Sequence, residues 1–132
     1  MKQIIFILII FGLYSCNIQS KSNIGYSYRI VKIDSIENVY LIYAERSDVN
    51  IKNTVLKIVS AKTEKNCKKN KRIALENNYK LNVFSLYPKN LVSHNLGGIT
   101  FNGVLIPFDK DYNIKKDLFI TEDLKGLCYR KW

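Results

Sequence analysis

The sequence holds one histidine, His94, and only 11 acidic residues against 21 basic ones. Scarce histidine removes the usual proton carrier near neutral pH and leaves few partners for general acid and base work. No second histidine, acid or cysteine stands near His94 at metal-ligand spacing, so it reads as a surface residue of the loop "KNLVSHNLGG". Also missing are a phosphate-cradling glycine loop, a nucleophile elbow and any internal repeat. One calcium-like spacing, Asp109, Asp111 and Asn113 in "DKDYN", fails where an EF-hand requires glycine and then glutamate, because Ile114 and Ile120 stand there. The default for that stretch is a polar turn. These gaps argue against an enzyme, and they give no reason to expect a metal or cofactor.

A membrane-spanning run is lacking too. The chain is apolar from Ile4 to Tyr14 apart from Gly12, about eleven residues where a span needs about twenty. Lys2 precedes this run and the polar "NIQSKSN" follows it. A positive start, an apolar middle and a small residue at the end are the three parts of a secretory leader. Cleavage after Ser15 makes Cys16 the first mature residue.

Leu13-Tyr14-Ser15-Cys16 resembles the lipobox of bacterial lipoproteins. Leu13, Ser15 and Cys16 fit that pattern, whereas Tyr14 stands where a small residue is more usual; the looser form is familiar among lipoproteins of the Bacteroidota. The resemblance covers the first sixteen residues and is silent on the domain. It implies a diacylglycerol on the Cys16 thiol, loss of residues 1–15 and an acylated amino terminus, so that several acyl chains hold the protein to the membrane where one would not. Asn17 follows the cysteine in place of the aspartate that retains enteric lipoproteins in the inner membrane, and "NIQSKSN" lacks the acids typical of surface export. The expected address is the outer membrane, facing the periplasm, with surface display or the inner membrane as alternatives. Residues 16–24 are a lipidated tether and 25–132 one domain's worth of chain.

If Cys16 carries lipid, Cys67 and Cys128 remain as an even pair in an oxidising compartment. A bridge between them closes a loop of about sixty residues and contributes roughly 4 kcal/mol on the chain-entropy model. The competing reading is a nucleophilic thiol served by His94, for which no local signature exists.

The formal charge is +10, and the leader takes away only Lys2. Such an excess favours polyanions, which for a periplasmic domain means lipid head groups and lipopolysaccharide phosphates, not nucleic acid. The plainer reading is that lysine keeps a small domain soluble. The excess is densest in "KTEKNCKKNKR", where Lys62, Lys65, Lys68, Lys69, Lys71 and Arg72 are relieved only by Glu64. A segment so charged lies on a loop or exposed edge. Lys65, Lys68, Lys69, Lys71 and Arg72 are the candidate residues for an anionic lipid or an acidic envelope protein; a merely solvated loop is the alternative.

The rest of the mature chain alternates like strands. "IGYSYRIVKID" reads as a first strand turning at Asp34-Ser35. "IENVYLIYAER" puts Val39, Leu41 and Tyr43 on one face and Tyr40 and Ile42 on the other, as a central strand buried on both sides does. "TVLKIVSAK" completes an antiparallel meander. "ENNYKLNVFSLYP" alternates up to Pro88, with Leu81 and Val83 opposed to Phe84 and Leu86. Asn102-Gly103, between "ITF" and "VLI", predicts a type I′ hairpin ended by Pro107. Thr121, with Glu122 and Asp123 after it, predicts a short capped helix stopped at Gly126, before a last strand carrying Cys128.

The expected fold is all-β: a small antiparallel barrel of five to seven strands, OB-like or SH3-like, with at most one short helix, or else a small sandwich. The expected function is a non-catalytic binding module on a lipid anchor; the alternative is an inhibitor or immunity-type protein that blocks a toxin or hydrolase in the envelope.

Overall fold

The computed structural model describes residues 25–47, 54–63, 67–89 and 97–130. Cys16, Lys65 and His94, with the rest of residues 1–24, lie outside the described residues.

Strands β1 (Tyr26–Ile36), β2 (Val39–Arg46) and β3 (Val55–Ala61) form the antiparallel meander. The β1–β2 turn is at Glu37-Asn38, not at Asp34-Ser35: Asp34 and Ser35 stay in the ladder opposite Leu41 and Tyr40. Two more strand residues bring Ile36 against the apolar cluster around Val39 and Leu41, and its burial overrides the local turn preference of Asp-Ser. Glu37 takes the strained turn position with φ 50°.

"NYKLNVFS" is two strands rather than one. β4 (Asn78–Leu81) pairs with β1, and β5 (Val83–Ser85) pairs with β8 (Phe119–Thr121). The strand order β4-β1-β2-β3-β8-β5 puts these sequence neighbours at opposite edges of a six-stranded sheet. One intervening residue, Asn82, thus connects the two edges, and the sheet is curled into a half-barrel. The Asn82 N–H leaves the ladder and donates to Asp123 Oδ2 at 2.7 Å, which keeps the half-buried break satisfied. All pairings in this sheet are antiparallel except the single parallel contact of Ile58 with Phe119.

The remaining strands form two hairpins. β6 (Gly98–Phe101) and β7 (Val104–Pro107) meet at Asn102-Gly103, with φ of 51° and 76° as a type I′ turn requires. A Cβ on Gly98 would stand 2.3 Å from the Ile106 carbonyl oxygen, so no side chain fits there. β9 (Leu124–Lys125) and β10 (Cys128–Tyr129) form the other hairpin.

The predicted helix at Thr121 is absent: Thr121 ends β8, and Glu122-Asp123 is a turn. The capping chemistry is used otherwise, since the Asp123 N–H donates to Thr121 Oγ1 at 3.2 Å while the Asp123 carboxylate serves Asn82. Among the described residues the sole helical element is a 3-10 turn at Lys69–Lys71. The all-β expectation of a small, curled sheet with at most one short helix therefore holds.

Two apolar clusters flank the sheet. The inner one draws on every strand of the sheet, including Tyr28, Ile30, Ile42, Leu56, Ile58, Leu81 and Phe119, and is capped by Ile73, Leu124 and Leu127. The outer one packs Val39, Leu41, Tyr43 and Val59 against Val104 and Ile106 of the β6–β7 hairpin and Leu118. The face assignment of β2 is as its alternation predicts.

Candidate functional site

The basic segment is fixed to the body of the domain at three points. Cys67 is joined to Cys128 by a disulfide, with their Cα atoms 5.8 Å apart. Arg72 forms an antiparallel bridge with Cys128. The Ile73 N–H donates to the Leu127 carbonyl at 2.9 Å, and the Ile73 side chain is buried in the inner core. Between these ties the chain can turn only outward. Lys68, Lys69, Lys71 and Arg72 are exposed, and the ion pairs among the described residues, Arg29 with Glu45 and Glu76, Lys32 with Asp34, and Lys57 with Asp109, involve none of them.

Topology adds one cation that the sequence separates and places the run's first lysine beside it. Lys125 lies opposite Cys128 across the β9–β10 hairpin and is exposed. The hairpin turn at Gly126 sits over Thr63 and Tyr40, which brings the end of β3 alongside. Lys62 is exposed there, with its ammonium 5.4 Å from the centre of the Tyr40 ring. Lys62, Lys68, Lys69, Lys71, Arg72 and Lys125 thus occupy one end of the half-barrel. Two exposed acids, Glu37 and Glu122, stand on turns of the same end. The surplus is positive, its members are long and solvated, and the disulfide holds their backbone in place. Such a surface attracts anions by summed field; among the described residues it offers no free thiol, because Cys67 and Cys128 are joined to each other.

A second polar group was hidden from sequence reading. Lys57 is 3% exposed, on the outer face of β3 directly opposite Tyr43 of β2. Its ammonium pairs with the Asp109 carboxylate and donates to the Pro107 carbonyl at 2.9 Å. The Tyr43 hydroxyl lies 3.5 Å from both Asp109 oxygens, and the phenol is pushed up to about 12 by burial first, then by the charges of Asp109 and Asp34 and the hydrogen bond to Asp109. Lysine, carboxylate and phenol together could pass for acid-base machinery. Tyr43 and Lys57 are buried beneath the β6–β7 hairpin, and through Asp109 and the Pro107 carbonyl they fasten it to the sheet. The sign visible in the sequence is Lys57 at a register otherwise held by Val55, Val59 and Ala61.

Asp109, Asp111 and Asn113 form no cation cage. Asp111 Oδ1 accepts from the Asn113 N–H at 2.9 Å, which makes the stretch a side-chain-stabilised turn, and among the described residues no group of three His, Cys, Asp or Glu is placed to hold a metal ion. No helix among the described residues is long and apolar enough to cross a membrane. No protein-family model matches the chain, and the comparisons with curated proteins and with solved structures find no match either.

Proposed function

We propose that this chain is a lipoprotein held to the periplasmic side of the outer membrane through acyl chains on Cys16, and that its domain is a non-catalytic binding module whose basic end engages anionic lipid phosphates. The observation that carries this reading is the set of exposed cations at Lys68, Lys69, Lys71 and Arg72, with no ion-pair partner among the described residues and clamped by the Cys67–Cys128 bridge. Lys65, outside the described residues, belongs to the same run in the sequence. A tether of residues 16–24 reaches at most about 30 Å when extended, so an anchored domain meets the head groups constantly. Each lysine or arginine near an anionic surface contributes about 1 kcal/mol, and the attraction fades within a Debye length of about 8 Å in physiological salt.

The test is amide hydrogen exchange of the full lipidated chain in nanodiscs of phosphatidylcholine alone or with phosphatidylglycerol. Protection over 67–73 is expected only in the anionic discs, and it should vanish in high salt and in the variant with Lys68, Lys69, Lys71 and Arg72 all changed to Gln. Equal exchange in both discs overturns the lipid-phosphate reading. Intact mass of the membrane-extracted protein tests the anchor, by whether acyl mass is present on Cys16.

A further inference from the structure

The disulfide that ties down the basic segment lies among the cations it restrains. Cys67 is followed by Lys68, Lys69, Lys71 and Arg72, all exposed. Cys128 has a cation on each side: Lys125 is its partner across the β9–β10 hairpin, and Arg72 is its partner in the bridge to the basic segment. Residues directly opposite in antiparallel strands project from one face with Cβ atoms about 5 Å apart. Lys125, Cys128 and Arg72 therefore form a row with the sulfur in the middle. Neither cysteine is buried, and both keep part of their surface open to solvent.

A disulfide exchanges when a thiolate attacks one sulfur and expels the other, and the step is faster when the expelled thiolate is the better stabilised of the two. Nearby ammonium and guanidinium groups stabilise a thiolate. Cys128, between two of them, is the better leaving group, and Cys67, at the head of an exposed run, is the sulfur attacked. The same field gathers negative nucleophiles and repels positive ones. It survives a count of the acids. Glu37 and Glu122 on turns of this end, the half-buried Asp123, whose carboxylate already accepts from the Asn82 N–H, and Glu64, which lies outside the described residues, are fewer than Lys62, Lys68, Lys69, Lys71, Arg72 and Lys125.

We propose that the Cys67–Cys128 bridge is a thiol–disulfide exchange site selective for small anionic thiols, with Cys67 as the sulfur attacked and Cys128, between Lys125 and Arg72, as the thiolate released. The electron pair of the incoming thiolate makes the new sulfur–sulfur bond to Cys67. The pair of the old bond leaves on Cys128 Sγ, and that thiolate then equilibrates with protons from water. A second molecule of the thiol attacks the mixed disulfide at its own kind's sulfur, frees Cys67 and departs as the symmetrical disulfide. Two thiols are oxidised for each protein disulfide reduced. Exchange removes one of the three ties on the basic segment, so that the Arg72 bridge and the Ile73–Leu127 hydrogen bond alone oppose the repulsion of its lysines. This chemistry belongs to the bridge and does not depend on whether the basic end meets lipid.

The test follows opening of the bridge in the full chain in phosphatidylcholine nanodiscs. The probe thiols, at equal thiolate concentration, are mercaptosuccinate, 2-mercaptoethanol and cysteamine, which carry negative, no and positive charge. Samples are quenched by alkylation, and the gain of alkyl mass over the oxidised chain reports each freed cysteine whatever Cys16 carries. In low salt the ratio of the mercaptosuccinate rate to the cysteamine rate should be about tenfold higher in the wild type than in the variant with Lys68, Lys69 and Lys71 changed to Gln. Comparing the two proteins cancels the intrinsic reactivity of the thiols, and high salt should erase the difference. The neutral thiol tests the leaving group: Arg72→Gln/Lys125→Gln should slow 2-mercaptoethanol several-fold, whereas the lysine variant should react with it at nearly the wild-type rate. The trapped intermediate should carry the probe on Cys67 and the alkyl group on Cys128. Equal ratios in the wild type and the lysine variant, a 2-mercaptoethanol rate indifferent to Arg72 and Lys125, or a probe trapped mainly on Cys128 would each overturn the proposal.

Discussion

On the inner face of the sheet the covering pieces, Ile73 and the β9–β10 hairpin, are held by the Cys67–Cys128 disulfide, whereas on the outer face the β6–β7 hairpin is held by side chains alone, with the buried Lys57–Asp109 pair at their centre. Both faces present the same difficulty. A two- to four-residue hairpin strand buries too little apolar surface to stay docked by itself. The inner cap must also support a crowd of exposed lysines whose mutual repulsion pushes it away from the core. The outer cap is nearly free of that strain: β7 buries Val104 and Ile106 while Leu105 faces water. A covalent tie stands where like charges crowd, and a hydrogen-bonded ion pair suffices where they do not.

The largest expected effect comes from cutting the covalent tie. Cys67 and Cys128 are 61 positions apart, and releasing a loop of that length from the unfolded ensemble should cost about 4 kcal/mol on the chain-entropy model. The Cys67→Ser/Cys128→Ser variant should therefore show a lower urea midpoint with a steeper slope, because the unfolded chain without the cross-link exposes more surface. Amide exchange should rise first at 67–73 and 124–129 while the β6–β7 hairpin keeps its protection. Equal loosening of both hairpins would break the comparison, because it would make the two caps one cooperative unit.

Asp109→Ala is next. It leaves the Lys57 ammonium, 3% exposed, with the Pro107 carbonyl as its remaining acceptor, and removing one member of a buried pair costs about 3 kcal/mol or somewhat more. Lys57→Met should cost less, about 1 kcal/mol, because the Asp109 side chain keeps 29% of its surface and can turn to water. The double variant Lys57→Met/Asp109→Ala should recover most of the loss from Asp109→Ala. A double-mutant cycle of thermal or urea midpoints checks all three. Additive losses would mean that the outer cap rests on apolar packing and that the ion pair is incidental.

What was legible in the sequence was whatever a short window decides. Asn102-Gly103 sets a hairpin through its own backbone preference, and the alternation of residues 39 to 44 assigns two faces to β2 without reference to any partner. The break at Asn82 was not legible, because nothing local interrupts "NYKLNVFS"; the acceptor that makes the break affordable is Asp123, 41 residues later. The same carboxylate misled the reading of Thr121, since Thr-Glu-Asp before an apolar residue is also a good helix start, and the choice between cap and turn was made by Asn82. At the basic end the charge run was plain, whereas Lys125 joins it only through β9–β10 pairing and the packing of Gly126. Arg46 and Lys115 are far apart in the chain, and the Glu45–Val55 pairing with the Val55–Ile114 bridge brings them to the same end of the sheet.

The smallest effect sharpens the comparison most, because it reports how dry the outer face is. Tyr43 is 4% exposed, and its phenol is raised from the ordinary value of 10.0 to about 12 by burial and by the neighbouring Asp109 and Asp34 charges. The folded state therefore holds this proton more tightly than the unfolded chain does. The stability tied to it is fully present below pH 10 and is lost as the pH rises through about 12. In an alkaline titration followed by phenolate absorbance, Tyr43 should give a late step near pH 12, a lag that Tyr43→Phe should abolish while raising the midpoint of alkaline unfolding. At neutral pH that variant should lose no more than about 1 kcal/mol. Asp109→Ala should shorten the lag without abolishing it, since burial is the larger cause. A Tyr43 that ionises at its ordinary 10.0 would mean that water reaches the Lys57–Asp109 pair, and the outer hairpin would then be held by contacts at its rim rather than by the pair beneath it.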